Sequence, residues 1–365
     1  MKRSISLIFT VLLCVFTASC GNNLNNDVML KYGSHAVDKG TYMYLAATYK
    51  AAFLDSYNGG FDTEEFFDSE LEKDGRTMTY ENYIAEYIQN EISRTLISFK
   101  QFEDLKLELA EKDLENINTE LSDLLAAESE DEINAALAPY GIDFAKLRDI
   151  KLMQLKSETA FSYLYEENGK NAPSTKEFQD YLNKNYRAIG IISVMTEEKY
   201  LLDEDGNNVF DDEGNAKTVP LSEKEKEEKL TFIEKVLSEL KAGADFSECA
   251  KYSDIDYTSE YPLGIMISSN EVNAYGKDIV TTALSMKAGD FKRLDGKDKT
   301  YILVCFEMPD AGTLGENYDI SEMLYNCTMA RYMEDTEKIL KDEIQVNTDE
   351  ISKIDLKKLK KNTFY

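Results

Sequence analysis

Residues 243–254 have the sequence GADFSECAKYSD, and this stretch decides how the second half of the chain folds. Gly243 ends a long amphipathic helix, because glycine readily takes the left-handed conformation that closes a helix. That helix begins at a capping box formed by Ser222 and Glu225. After Gly243 the pattern predicts a short turn of helix from Asp245 to Lys251.

The residues on either side of this stretch alternate between helices and strands. A proline- and glycine-containing loop at 262–264 is followed by a helix through residues 279–284. Apolar, β-branched runs predict buried strands at residues 189–194 and 301–307. Residues 187–310 are therefore predicted to form one α+β domain of about 120 residues.

An acidic insertion interrupts this domain at residues 198–222. It contains two similar turns, Asp203-Glu204-Asp205-Gly206-Asn207 and Asp211-Asp212-Glu213-Gly214-Asn215. A calcium-binding loop of the common kind needs a twelve-residue spacing closed by a bidentate glutamate, which is absent here. We therefore expect an inserted hairpin with Gly-Asn turns, and no metal site.

The rest of the chain has a helical pattern. Residues 38–186 show apolar positions at three- and four-residue steps, with capping boxes at Ser129 and Ser174 that start new helices. These residues are predicted to form an N-terminal helical domain. A further helix is expected within residues 311–345, followed by a lysine-rich tail at 346–365.

Composition restricts the possible functions. A chain of 365 residues has room for two to three domains, and its 43% apolar content predicts that most of it folds. The net charge of −28 argues against nucleic acid as a partner. His35 is the only histidine, so sites that need two imidazoles are excluded, and no cofactor or metal is expected. Cys305 lies in an apolar run and is predicted to be a buried thiol.

The first residues resemble a bacterial export signal. Lys2 and Arg3 precede an apolar run from Ile5 to Phe16 that is too short to span a bilayer. The small residues that follow and end at Cys20 resemble a lipobox. This resemblance implies a signal peptide at residues 1–19, lipidation of Cys20, a tether at residues 20–37 and residence on the outer face of the cell membrane. An ordinary signal peptide with an incidental cysteine is the alternative.

Four landmarks in the second domain resemble the parvulin peptidyl-prolyl isomerases. They are the stretch 243–254, the Pro262-Leu263-Gly264 turn, the helix end Ala283-Leu284-Ser285-Met286-Lys287-Ala288-Gly289-Asp290 and the strand that begins at Tyr301. The order of domains is similar to that of extracytoplasmic foldases of the PrsA and SurA type. The resemblance implies a parvulin-like domain of the FKBP-like superfold, and a helical chaperone domain on which the helix within residues 311–345 packs.

The active-site positions depart from the parvulin pattern. The two histidines of the family correspond to Gly190 and Tyr301, and the family's Cys or Asp corresponds to Ile255, or to Asp256 if the turn shifts by one residue. The resemblance therefore leaves Tyr301 and Asp256 as catalytic candidates. It also implies a proline-binding pocket formed by Tyr275, Ile279 and Leu284. Alternatively, these three side chains and Tyr301 only pack the core of the domain.

Three functions follow from these observations. The first is a membrane-anchored chaperone or foldase that binds unfolded exported polypeptides and whose isomerase activity is weak or lost. The second is an active peptidyl-prolyl cis-trans isomerase that uses nonstandard residues; this is open because rotation about the prolyl bond breaks no covalent bond. The third, a solute-binding lipoprotein of a transporter, fits the few predicted strands poorly.

Overall fold

The computed structural model describes residues 24–56, 63–73, 75–205 and 207–360. The predicted signal peptide and Cys20 lie outside these described residues. The chain divides into two compact units, the first formed by Met1–Ala172 with Thr328–Tyr365 and the second by Pro173–Cys327. Both contain helices and antiparallel strands, so the α+β class predicted from the sequence is confirmed.

Both units contain helices and strands, which occur along the chain in the following order. From the N-terminus to residue 172 they are β1 (Val28–Tyr32), β2 (His35–Asp38), α1 (Lys39–Ser56), α2 (Glu64–Asp68), β3 (Glu70–Lys73), β4 (Arg76–Thr79), α3 (Tyr80–Asp104), α4 (Glu111–Ala127), α5 (Glu130–Leu137) and α6 (Phe144–Tyr165). The second unit continues with α7 (Thr175–Asn185), β5 (Arg187–Met195), β6 (Glu198–Tyr200), β7 (Thr218–Pro220), α8 (Glu223–Lys241), α9 (Phe246–Ala250), β8 (Ile265–Ile267), α10 (Val272–Tyr275), α11 (Lys277–Ser285), β9 (Phe291–Asp295), β10 (Lys299–Phe306) and α12 (Ala311–Asn317). The last elements are α13 (Ser321–Asp342), β11 (Gln345–Val346) and α14 (Thr348–Ile351).

The first unit contains a sheet that the sequence did not predict. Strands β11, β1 and β2 pair in that order, and Met29, Leu30 and Val37 are fully buried beneath helices α1 and α3. Part of the predicted tether is thus a folded hairpin. The predicted tail is also folded up to residue 360, because Leu356 and Leu359 belong to the core of this unit.

Helix starts were predicted well from local chemistry. Ser129, Ser174 and Ser222 each accept a hydrogen bond from the backbone N–H three residues on. The side chain of the glutamate at that position in turn accepts a hydrogen bond from the backbone N–H of the serine. Gly141 ends the short turn after α5 with φ of 76°, which is the left-handed conformation that favours glycine. The capping boxes are therefore confirmed.

The second unit is built around a four-stranded antiparallel sheet with the order β8-β5-β10-β9. The central strands β5 and β10 are those that the apolar runs predicted. Their side chains alternate between two faces, so Ile191 and Leu303 pack with helix α11, whereas Ile192 and Ile302 pack with helices α8 and α9. Burial on both faces explains why the central residues of these two strands are mainly apolar.

The boundaries of the second unit differ from the predicted ones. Helix α7 was placed with the N-terminal helices, yet Phe178 and Leu182 pack in one cluster with Ala311 and Leu314 of α12. The side chain of Gln179 accepts the N–H of Ala311 at 2.8 Å. The division between the two units falls within helix α13, so its residues up to Cys327 belong to the second unit and those from Thr328 on belong to the first. A helical pattern identifies a buried face but not the element that covers it, which is why α7 and α12 were assigned elsewhere.

The acidic insertion forms a small ordered structure of its own. Strands β6 and β7 pair, and between them the backbones of Leu201, Val209 and Lys217 form a closed ring of three hydrogen bonds of 2.7–2.9 Å. Asp203 and Asp211 each accept two backbone N–H groups of their own turn.

No helix in the described part of the chain is long and apolar enough to cross a membrane.

Candidate functional site

A patch of half-buried tyrosines covers one face of the sheet in the second unit. We call it the tyrosine patch; it consists of Tyr257, Tyr261, Tyr275, Leu284, Leu294 and Tyr301. These side chains pack on a buried layer that includes Ile191, Ile279 and Leu303, so their inner surfaces are fixed while their outer surfaces face solvent. The patch therefore presents aromatic and aliphatic surface with hydroxyl groups at its edges.

The hydroxyls of Tyr257, Tyr261 and Tyr275 are held in their neutral form. Burial raises the pKa of Tyr275 to about 12 and also raises the pKa of Tyr257. The hydroxyl of Tyr261 donates to the Glu260 carboxylate at 3.0 Å, and this bond raises the pKa of Tyr261. Near neutral pH these groups act as uncharged hydrogen-bonding groups and not as proton acceptors.

The residues predicted to form a proline-binding pocket and the catalytic candidate Tyr301 all lie in one hydrophobic cluster of the second unit. Tyr275, Leu284 and Tyr301 belong to the tyrosine patch, whereas Ile279 is only 9% exposed and lies in the layer below it. Ile279 therefore packs the core, as the alternative prediction from the sequence stated for this side chain. The other three side chains are partly exposed and offer a surface.

Gly190 lies on the opposite face of the sheet from Tyr301. A Cβ atom at Gly190 would come within 2.6 Å of the Phe246 ring and 2.7 Å of the Phe306 ring, and Phe246 packs in the cluster of Ile192 and Ile302. The strand register places Tyr301 opposite Ser193 instead. The two positions that the sequence resemblance aligned with histidines thus lie on opposite faces of the sheet in this chain.

Asp256 is exposed and stabilises a turn. Its carboxylate accepts the backbone N–H of Thr258 at 2.8 Å and the hydroxyl groups of Thr258 and Ser259. These bonds, led by the one from the Ser259 hydroxyl, lower the pKa of Asp256 to about 2. A carboxylate with such a low pKa is a weak base, so the structure gives Asp256 a clear local role and little capacity to accept a proton. Ile255, the other position considered, is an apolar side chain of intermediate burial.

The turn before Asp256 is fixed to strand β5 by polar contacts. The Ser193 N–H donates to the Ser253 hydroxyl at 2.8 Å, and the Asp254 carboxylate accepts the Met195 N–H at 2.7 Å. Lys229 of helix α8 donates to the same carboxylate at 2.8 Å. The YSD residues that carry the family resemblance therefore position the segment that supplies Tyr257 and Tyr261.

Sequence reasoning missed two residues of this surface and one buried serine beneath it. Tyr257 and Tyr261 follow the YSD turn in an irregular segment that carries no periodic signal. Ser193 is completely buried opposite Tyr301, and its hydroxyl has no hydrogen-bond partner among the described residues. A serine inside an otherwise apolar strand was the one signal that could have drawn attention to it.

Comparisons with known proteins give little support at the level of whole chains. No family model matches the sequence, and no curated protein matches it. Among solved structures, PrsA of Bacillus subtilis is 14% identical with a TM-score of 0.22, over 76% of this chain and 93% of that one. The foldase protein PrsA of Streptococcus pneumoniae is 15% identical with a TM-score of 0.22, over 78% of this chain and 97% of that one. At this TM-score neither similarity carries an argument about fold or function.

Proposed function

We propose that this protein is an extracytoplasmic chaperone or foldase that binds unfolded segments of exported polypeptides through the tyrosine patch. The observation that supports this proposal is the patch itself, in which Tyr257, Tyr261, Tyr275 and Tyr301 lie around two leucines on one fixed surface. Tyrosine suits such a role because its ring provides apolar contact at low entropic cost and its hydroxyl can bond to a peptide backbone.

The chemistry of the patch favours binding over proton transfer. The raised pKa values of Tyr257 and Tyr275 keep their hydroxyls protonated, and Asp256 is engaged in its own turn. Prolyl isomerisation has a barrier of about 18–20 kcal/mol, and an apolar surface that removes water from the prolyl amide can lower this barrier. Isomerase activity is therefore proposed to be weak or lost, with an active isomerase that uses Tyr301 as the alternative.

Client binding can be tested with a patch variant and a matched control. The chain without its predicted signal should suppress aggregation of an unfolded client at stoichiometric ratio. The double variant Tyr275→Ser/Tyr301→Ser is expected to lose most of this effect because it removes two rings from the patch. The control Tyr163→Ser removes a tyrosine that is 58% exposed in the first unit and should retain it. Equal suppression by the patch variant would contradict the proposal.

The alternative is tested by isomerisation itself. Exchange rates of proline-containing peptides, measured by NMR with and without the protein, report any catalysis directly. If the alternative holds, Tyr301→Phe should lower the rate, whereas Asp256→Ala should leave it unchanged because that carboxylate is used within its turn. Rates equal to the uncatalysed reaction would dispose of the alternative and leave the chaperone proposal intact.

The proposed location rests on the sequence around Cys20. Lipid attached to this thiol would hold the protein at the outer face of the cell membrane, since acyl chains bind a bilayer by about 0.8 kcal/mol per methylene. Mass spectrometry of the mature N-terminus should find a chain that begins at a lipidated Cys20. Release of Cys20→Ala from membranes, with retention of the unchanged chain, is the second expected result.

A further inference from the structure

An apolar pocket of about 580 Å³ in the first unit has a rim of lysines. Its apolar lining is supplied by Met43 of α1, by Ala136, Pro139 and Tyr140, and by Ile354 and Leu359 near the C-terminus. This volume lies in the range of about 300–1,000 Å³ that is typical of small-molecule sites. The pocket is separate from the tyrosine patch and plays no part in the proposed function.

The wall formed by the C-terminal residues is held in place by buried hydrogen bonds. The Lys50 ammonium donates to the carbonyl of Leu359 at 2.9 Å, and the Tyr140 hydroxyl donates to the carbonyl of Lys360 at 3.1 Å. Lys50 is 2% exposed and also lies over the Phe67 ring. These contacts fix the wall from two sides, so the pocket is formed before any ligand enters.

The charge at the rim is opposite to that of the chain. Lys39, Lys353, Lys358 and Lys360 line the pocket together with one acidic residue, Asp355. Across the whole chain, by contrast, 69 acidic residues outnumber 41 basic ones. A local excess of cation on so acidic a protein favours a ligand with an anionic group, because the rest of the surface repels it.

The rim carboxylates only partly balance these lysines. Glu350 accepts a bond from Lys39 at 3.5 Å and another from Lys353 at 2.5 Å. Asp355 is paired with Lys358 at 2.7 Å. Even with both carboxylates counted, the rim keeps an excess of positive charge. Because the Lys353 and Lys358 side chains are 63% and 85% exposed, both ammonium groups are accessible to a bound anion.

The apolar lining specifies the other end of the ligand. Met43, Pro139, Ile354 and Leu359 have no side-chain hydrogen-bonding groups, and the Tyr140 hydroxyl is already bonded to Lys360. A peptide backbone buried there would leave N–H and C=O groups unsatisfied, whereas a hydrocarbon chain has no such groups to satisfy. We propose that this pocket binds a single-chain anionic amphiphile, a fatty-acid carboxylate, with its chain on the apolar lining and its carboxylate at the lysine rim.

Calorimetric titration with dodecanoate, below the concentration at which it forms micelles, tests this proposal. Dodecanoate should bind, whereas acetate, which lacks the chain, and dodecyl maltoside, which lacks the charge, should bind at least tenfold more weakly. The variant Lys353→Gln/Lys358→Gln should weaken dodecanoate binding about tenfold or more, since it removes two rim charges. The control Lys176→Gln/Lys224→Gln removes two lysines of the second unit that are at least as exposed and should change the Kd less than twofold.

Three results would overturn the proposal. Undiminished affinity in the rim variant would show that the lysines do not recognise the carboxylate, and equal affinity for dodecyl maltoside would show that charge is irrelevant. A chain that ends at Lys360 should bind dodecanoate as the full chain does. If removal of residues 361–365 instead raised the affinity for dodecanoate tenfold, that segment and not a fatty acid would be the occupant of the pocket.

Discussion

Adding a single methyl group at Gly190 tests the description of the sheet in the second unit. Gly190→Ala would place a Cβ atom 2.6 Å from Cζ of Phe246 and 2.7 Å from Cζ of Phe306. The two rings already contact each other edge to face, with centroids 5.2 Å apart, so neither can move without disturbing its neighbour. Overpacking of this kind costs about 1–3 kcal/mol.

The loss should be visible as a lower melting temperature. For a domain of about 150 residues, 1 kcal/mol corresponds to about 2–4 °C, so Gly190→Ala should lower the melting temperature of the second unit by roughly 2–12 °C in circular dichroism. Adding Phe246→Leu removes the ring end that clashes, and the double variant should lose less than the sum of the single variants. Gly312→Ala, in helix α12, is the control and should destabilise the protein less than Gly190→Ala, because its Cβ would meet only one side-chain atom within 4 Å, Oδ1 of Asp310 at 3.2 Å.

The same geometry makes a functional prediction. Because Gly190 faces away from Tyr301, Gly190→His should destabilise the protein more than Gly190→Ala and should not increase prolyl isomerisation. An unchanged melting temperature for Gly190→Ala would refute the close packing described for this face. A gain of isomerase activity in Gly190→His would refute the strand register.

Three further predictions concern other parts of the chain. Lys50→Met removes the buried bond to the Leu359 carbonyl and should cost about 1–3 kcal/mol, with faster proteolysis of the C-terminal segment; unchanged protection would contradict the role of that bond. Bonds led by that from Lys199 lower the pKa of Glu225 to about 2, so its stabilising contribution should be full above the unfolded pKa of about 4.5 and disappear as pH falls through about 2. Urea unfolding should show the full difference between Glu225→Gln and the unchanged chain above about pH 4.5, a shrinking difference between about pH 4.5 and 2, and none below. Replacing residues 201–217 by Asn-Gly should leave a simple hairpin and an unchanged melting temperature for the second unit, because the inserted turns bond mainly to one another; a fall of several degrees would show that they stabilise the sheet.

Local chemistry predicted more of the helices than of the sheets. The capping boxes at Ser129, Ser174 and Ser222 involve residues three apart, so sequence spacing alone defines them. Strands β5 and β10 were found because burial on both faces makes their central residues mainly apolar. The edge strand β8 has only three residues, and β9 (Phe291–Asp295) mixes half-buried and exposed positions without strict alternation, so neither gives a strong signal.

The resemblance grouped Tyr275 and Leu284 as pocket residues, with Tyr301 able to offer a hydroxyl. All three lie in the tyrosine patch, and their roles in binding or catalysis stay predictions. Ile279 was also expected there but lies below the surface, since its position on helix α11 points into the core. Asp256 was proposed as a catalytic group, yet the hydroxyls that follow it engage its carboxylate.

The amino-acid sequence by itself determined where helices begin, which two strands are central and that the second unit contains no histidine, since His35 belongs to the first. These properties depend on residue type and on spacings of a few residues. Only the tertiary structure decided that Gly190 and Tyr301 face opposite sides of the sheet and that Leu359 closes a pocket beside helix α1. Strand register and long-range packing depend on which buried surfaces pack against each other. A hydrophobic pattern shows which residues are buried but does not show which surface covers them.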